Sequence, residues 1–398
     1  MLCAEPVINT ITIQQCFNLA QANNEQARIS AEHTLQALQQ LHQARGTVLP
    51  DVYFRYRKTF QDSAAGDLAR ETSETKLTAT QPLFDGFKKY NALKIASGSQ
   101  RSAQLIYQEY LRALRQDVAV AYFSVLQNEY EKKNTEEAFA VWNTRLNELK
   151  KRIELGKSRP SEALLIESSI ATLRSQLAKN TGDAAIARER LSFIVGTDMG
   201  SAVFADDAAV PESAESLEAY AAKVSHRPDI LALQEAVLVA QMRLRAARGD
   251  FLPAIDLNAS RYLERDTKTL RNDWDVVFSL DMPISQGGQT AALVKENSSK
   301  LREAELALSY AQREAITETR VAYHAFVSSL EQSREYGLAY DKTTQSYKAQ
   351  LREYSLGLVN NLEVLDVMRQ LLDVKQRFDS ARLDAQRNKI LLDIITGE

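Results

Sequence analysis

The sequence predicts an α+β membrane protein. Its expected form is a long α-helical coiled-coil barrel joined to a trimeric 12-stranded β-barrel, with four strands per chain and two internal structural repeats. Three observations carry this. First, Ala44-Arg45-Gly46 leads into Leu49-Pro50, and half a chain later Ala247-Arg248-Gly249 leads into Leu252-Pro253. Helix-periodic sequence stops at each Gly and alternating sequence starts at each Pro. Gly tolerates the left-handed turn that ends a helix, and Pro cannot continue one. Second, two very long stretches run almost without breakers. Third, Ala163, Ile166, Ile170, Leu173 and Leu177 follow Gly156 at the same steps as Val364, Val367, Leu371, Val374 and Phe378 follow Gly357, at a constant offset of 201 residues. Unrelated helices would not share that register, so the chain reads as one unit used twice.

Composition narrows the class. The chain has 398 residues, 44% hydrophobic and 25% charged, with only 14 Gly and 8 Pro. So few breakers favour long uninterrupted elements over a loop-rich α/β enzyme. A net charge of −3 offers no basic surface for nucleic acid. No apolar run reaches the roughly 18 residues of a transmembrane helix, so a membrane crossing must use a closed barrel. Cys3 and Cys16 are the only cysteines, too few for a disulfide framework or a metal set. Only Met1 and Leu2 precede Cys3, so either the protein is cytosolic or the numbering begins near a processed end. Cys3 is thus an inert thiol or a lipidated mature N-terminus.

The first repeat, residues 1–200, opens with helical sequence over 10–46, broken at Asn23-Asn24. Strands follow at about 48–60 and 73–84, then a long helix at about 87–153 and a second helix at about 161–196. At 1.5 Å per residue the long helix would extend roughly 100 Å. Leu111, Leu114, Val118, Ala121 and Val125 alternate steps of three and four, as do Trp142, Leu146, Leu149 and Ile153, which is coiled-coil spacing. Residues 201–225 are small and acidic and form an equatorial joint. The second repeat, 226–398, has a helix, strands at about 252–264 and 272–284, a long helix at about 288–356, and a last helix at about 361–396.

Four strands with one apolar and one polar face cannot close alone, and open edges are untenable in lipid. Three copies would supply twelve, an even number suited to an outer-membrane barrel. Phe54, Tyr56, Tyr262, Trp274 and Phe278 would supply its aromatic girdle. The plainer alternative for the strands is an ordinary half-buried hairpin sheet.

The order of elements and several motifs resemble the TolC-type outer-membrane efflux family. The motifs are His226-Arg227-Pro228-Asp229-Ile230, the two Ala-Arg-Gly…Leu-Pro switches, Gln81-Pro82-Leu83-Phe84-Asp85-Gly86, and Gly357…Glu363…Leu365-Asp366. The resemblance covers essentially the whole chain. It departs at Asn24, which stands where the second half has Pro228. It implies a homotrimeric channel-tunnel in the outer membrane of a Gram-negative bacterium, reaching into the periplasm. Such a tunnel is a passive exit duct for substrates delivered by an inner-membrane transporter and a periplasmic adaptor. The expected contacts are therefore these partners and outer-membrane lipid, with no nucleic acid and no cofactor.

A tunnel must close at rest, and the helix ends near the two turns are the expected place. Glu363 and Asp366 lie three apart on one helix and share nearly one face. In a trimer they would form stacked carboxylate rings, which attract cations, and the resemblance implies that they line the constriction. The plainer reading is a pair of solvated charges. By the same resemblance Glu162 would accept a hydrogen bond from Tyr354, and Arg382 would bond a neighbouring helix. The family's tip Arg is Val359 here, so closure is expected to lean on Glu162–Tyr354 and on packing by Leu358 and Val359. Replacing Tyr354 with Phe should then raise conductance. The turns Leu155-Gly156-Lys157-Ser158 and Leu356-Gly357-Leu358-Val359 are the expected adaptor contacts. Their alternative role is helix termination alone.

No catalytic constellation emerges. His33, His42, His226 and His324 are scattered without metal-ligand spacing, and no phosphate loop or nucleophile elbow exists. The chain is therefore read as not an enzyme. The rival reading is a soluble or periplasmic coiled-coil scaffold or adaptor, which accounts for the heptads but not for two pairs of strands with apolar outer faces.

Overall fold

The computed structural model describes residues 10–60, 71–209, 211, 213–265 and 272–397. The elements run β1 (Thr10–Ile11), α1 (Ile13–Asn23), α2 (Glu25–Gly46), β2 (Asp51–Phe60), β3 (Glu71–Asp85), α3 (Lys88–Glu154), α4 (Pro160–Val195), β4 (Val203–Phe204) and α5 (Leu217–Lys223). A 3-10 turn at Val224–His226 leads into α6 (Pro228–Gly249), β5 (Ala254–Arg265), β6 (Trp274–Asp281), α7 (Gln289–Ser355) and α8 (Asn361–Thr396). Helices α3 and α7 have 67 residues each, and α4 and α8 have 36 each.

Two compact units divide the chain, and neither is a contiguous half. One joins the segment ending at Ile29 with Glu109–Arg227 and with the chain from Glu314 onward; the other joins Ser30–Gln108 with Pro228–Arg313.

The second of these holds the four-stranded antiparallel sheet, in the order β2-β3-β5-β6. Val52, Ala79, Leu257, Phe278 and Leu280 lie on its apolar face, and Trp274 on that face is 64% exposed. Thr80, Asn258, Tyr262 and Asp275 lie on the polar face, so Tyr262, expected in the aromatic girdle, faces away from the other four girdle residues because β5 alternates. There Thr80 Oγ1 donates to Asn258 Oδ1 (2.7 Å) and the Tyr262 hydroxyl donates to Asp275 Oδ2 (2.8 Å). A register shift between Pro82 and Phe84 sets Phe84 opposite Ile255, on the apolar face. The turn after β3 passes against the end of α6. A Cβ on Gly86 would strike the Gly249 carbonyl, and one on Gly249 would strike the Gly86 carbonyl. Close backbone approach therefore requires both glycines. The next residue, Phe87, has φ +64, the positive φ of a non-glycine among the described residues. That conformation costs an L-residue about 1–2 kcal/mol.

The other unit is built on helix packing. Val118, Tyr122, Val125 and Leu126 of α3 meet Cys16 and Ala20 of α1, Leu191 and Val195 of α4, and Leu383 of α8. Burial pushes the Cys16 thiol up to about 11, so it stays protonated and inert. Further along α3, Ala138, Trp142, Leu146 and Leu149 meet Ile166 and Ile170 of α4 and Leu365 and Met368 of α8. Each such large side chain contributes about 1.5–3 kcal/mol of burial.

Asn24 explains the break between α1 and α2. It is extended, its side chain accepts from Ala27 N (3.0 Å), and it donates to the Ile194 carbonyl (2.9 Å). An Asn cap thus restarts the helix where the second half uses Pro228. The acidic joint is anchored. β1 pairs in parallel with β4, and Asp206 accepts from Tyr130 (2.6 Å), Arg382 (2.5 Å) and Gln386 (3.0 Å). Burial pushes the Asp206 carboxyl up, but these bonds outweigh it and hold it below the usual carboxylate value.

Candidate functional site: the paired helix ends

The ends of α3, α4, α7 and α8 meet through side chains within one unit. Each hairpin turns on a left-handed Gly, Gly156 at φ +72 and Gly357 at φ +78. Lys157 N donates to the Arg152 carbonyl (2.9 Å), and Leu358 N donates to the Glu353 carbonyl (2.9 Å). These bonds satisfy carbonyls that a helix end leaves open.

Between the two hairpins lies a polar network centred on Arg145 of α3, which is 7% exposed. Arg145 donates to Glu148 Oε2 (3.0 Å) and to Asn361 Oδ1 (2.6 Å). Asn361 Nδ2 donates in turn to Glu162 Oε2 (3.0 Å). Two guanidinium groups lie over the Tyr354 ring, Arg145 at 4.4 Å and Arg152 at 4.2 Å from its centroid. Cation–π contacts of this kind are worth about 0.5–2 kcal/mol, more when desolvated. One charge on α3 therefore ties together the start of α4, the end of α7 and the start of α8.

The structure places the expected site residues unevenly. Glu162 and Tyr354 both belong to this network but do not bond each other. Glu162 takes the Asn361 amide, and Tyr354 is held by its ring. Asn361 has a donor and an acceptor on one side chain, so it links Glu162 to Arg145, while Tyr354 meets Arg145 through its ring. Arg382 bonds Asp206 of the joint, because the β1–β4 pairing brings that carboxylate to α8. Glu363 accepts from Asn360 Nδ2 (2.6 Å), while its own N–H donates to Asn360 Oδ1 (3.1 Å), which caps α8. Asp366 is exposed, as are Leu155, Gly156, Lys157, Leu356, Gly357 and Leu358; Ser158 and Val359 are half-buried. Leu356 is 74% exposed. Cys3 lies outside the described residues.

Sequence reasoning missed Arg145, Arg152 and Asn361. A signal existed: Arg145 adjoins Leu146 in a heptad seam, and Asn361 follows a capping Asn. Neither could be paired with its partner without the fold.

Residues 17–197 and 220–398 match the family described as "Outer membrane efflux protein". That is most of the chain, and the chain belongs to that family. It is 28% identical over 309 residues to the probable efflux pump outer membrane protein SepC of Pseudomonas putida, a match covering 75% of this chain and 62% of SepC. The match therefore spans less than two thirds of that relative's length. It is 23% identical to the outer membrane protein TolC of Escherichia coli K12 over 421 residues, 97% of this chain and 82% of TolC. A solved structure of CusC superposes with TM-score 0.85 at 20% identity, covering 98% of this chain and 93% of that one. A membrane protein from Pseudomonas aeruginosa gives TM-score 0.85 at 16% identity, covering 100% and 99%. Likeness at that identity establishes the fold.

Proposed function

We propose that three copies of this chain form an outer-membrane channel-tunnel, a passive exit duct gated at the paired helix ends. The observation that carries the reading is the four-stranded sheet. Its apolar face exposes Val52, Phe54 and Tyr56 on β2 and Trp274, Val276, Phe278 and Leu280 on β6, and these are its outer strands. Twelve strands from three copies would hide those edges and turn the apolar face to lipid. The equal lengths of α3 and α7, and of α4 and α8, support an internal duplication that feeds one helical tube. Family membership supports a Gram-negative outer membrane, with a periplasmic adaptor and an inner-membrane transporter as partners. The exposed turn residues Leu155–Ser158 and Leu356–Val359 would meet the adaptor.

Glu363 and Asp366 would face the lumen as carboxylate rings and favour cations. The Arg145 network would hold the hairpins together at rest. The test is reconstitution into a planar bilayer. The expected result is a detergent-stable trimer, low resting conductance, and cation selectivity that falls in Glu363→Gln with Asp366→Asn. A chain that stays soluble and monomeric without detergent would reject the channel and favour a coiled-coil scaffold.

A further inference from the structure

The turn after β3 and the turn before α7 share a backbone. Gly86 and Phe87 have φ +69 and +64; Gly287 and Gly288 have φ +61 and +84. The second turn shows that this path requires no side chain. The first nevertheless carries a phenylalanine at its second left-handed position, where glycine would relieve the strain. The ring does not compensate by burial, since Phe87 is 57% exposed. It packs edge-on against Phe84, with centroids 5.1 Å apart at 86°. Phe84 is the residue that the register shift sets on the sheet's apolar face, so Phe87 extends that face beyond the last paired strand residues. One turn into α3, exposed Tyr90 lies beneath the Lys94 ammonium, 4.6 Å from its ring centroid. Apolar strand, aromatic, then aromatic with cation is the order in which side chains meet hydrocarbon, headgroup and water.

We infer that Phe87 is a membrane-interface anchor: its ring enters the headgroup boundary of a phospholipid bilayer and fixes the depth at which the helix-side end of the sheet sits. The inference rests on the barrel reading. A soluble sheet would leave this ring in water at a standing conformational cost.

The test uses the full chain in vesicles of phosphatidylethanolamine and phosphatidylglycerol carrying brominated acyl chains. Native Trp274, on the apolar face, is observed alone in Trp142→Phe. Phe87→Trp is observed alone with Trp142→Phe and Trp274→Phe. The expected result is quenching of both probes, with Trp at position 87 quenched more by bromines near the headgroup than by deep ones. Quenching of Trp274 without quenching at 87 overturns the anchor and leaves the barrel standing. No quenching of Trp274 overturns both. Phe87→Gly separates lipid contact from folding, because its unfolding midpoint should stay or rise as strain is relieved. A lowered midpoint would make the ring a structural support and overturn the inference.

Discussion

The turns at Gly156 and Gly357 have nearly the same backbone and opposite side-chain chemistry. The first hairpin brings ions to the network: Arg145, Glu148, Arg152 and Glu162. The second brings neutral groups with both donor and acceptor: Tyr354 and Asn361. Helix starts differ in the same way. α4 begins at Pro160 with no side-chain cap bond from Arg159, whereas α8 is capped by Asn360. A shared backbone thus leaves pairing to side chains. At the 201-residue offset a second copy of the first hairpin would offer Pro160 and Ile153 where Asn361 and Tyr354 stand, leaving Arg145 without either partner, so the network favours unlike hairpins as neighbours.

The contrast between the two hairpins centres on Arg145. Arg145→Met removes the charge that both bonds Asn361 and stacks on Tyr354, and strands the Asn361 carbonyl oxygen. A loss of about 2–3 kcal/mol is expected, with raised resting conductance, checked by thermal unfolding and by planar-bilayer recording. Unchanged conductance would show that the network does not hold the tips. The joint provides a reference outside the tips. Asp206→Asn should cost about 1–3 kcal/mol through its three bonds. Because the folded Asp206 carboxyl lies below its usual value, its contribution is complete above the unfolded value and is lost as pH falls through the folded one. Acid titration below about pH 4 should therefore destabilise wild type more than Asp206→Asn, as followed by circular dichroism.

Asn361→Leu deletes the bridge while keeping α8 capped by Asn360, and should cost about 1–2 kcal/mol. The shared backbone makes a sharper prediction. Gly156→Ala and Gly357→Ala should each cost about 1 kcal/mol and do so equally, since both have positive φ and open space around the missing Cβ. Unequal midpoints would mean that the turns are not alike. The smallest effect belongs to Tyr354→Phe. The ring, not the hydroxyl, makes the contact, so stability should shift by less than about 0.5 kcal/mol and conductance should hardly change. A large rise in conductance would restore the direct Glu162–Tyr354 lock that the sequence alone suggested.

Much of this was legible because it is periodic. Val118, Val125, Trp142, Leu149, Ile166 and Ile170 are buried, and their steps of three and four announce it. Alternation likewise put Val52 and Phe278 on the opposite face from Thr80 and Asn258. The motif glycines Gly86 and Gly249 could be read only as turn formers, since nothing local says that they touch. Nor does local pattern reveal that two residues, Thr10 and Ile11, pair with Val203 and Phe204, or that Asp206 thereby meets Arg382.

By itself the sequence determined the helix seams, the two-faced strands and the glycine turns, because each depends on neighbours a few residues away along the chain. Which polar groups satisfy one another was settled only in the tertiary structure: Asn361 between Arg145 and Glu162, the Tyr354 ring beneath two guanidinium groups, and Asp206 against Arg382 of α8. Partners separated by tens to hundreds of positions leave no periodic trace, and a buried polar group takes whichever complement the fold brings within bonding distance.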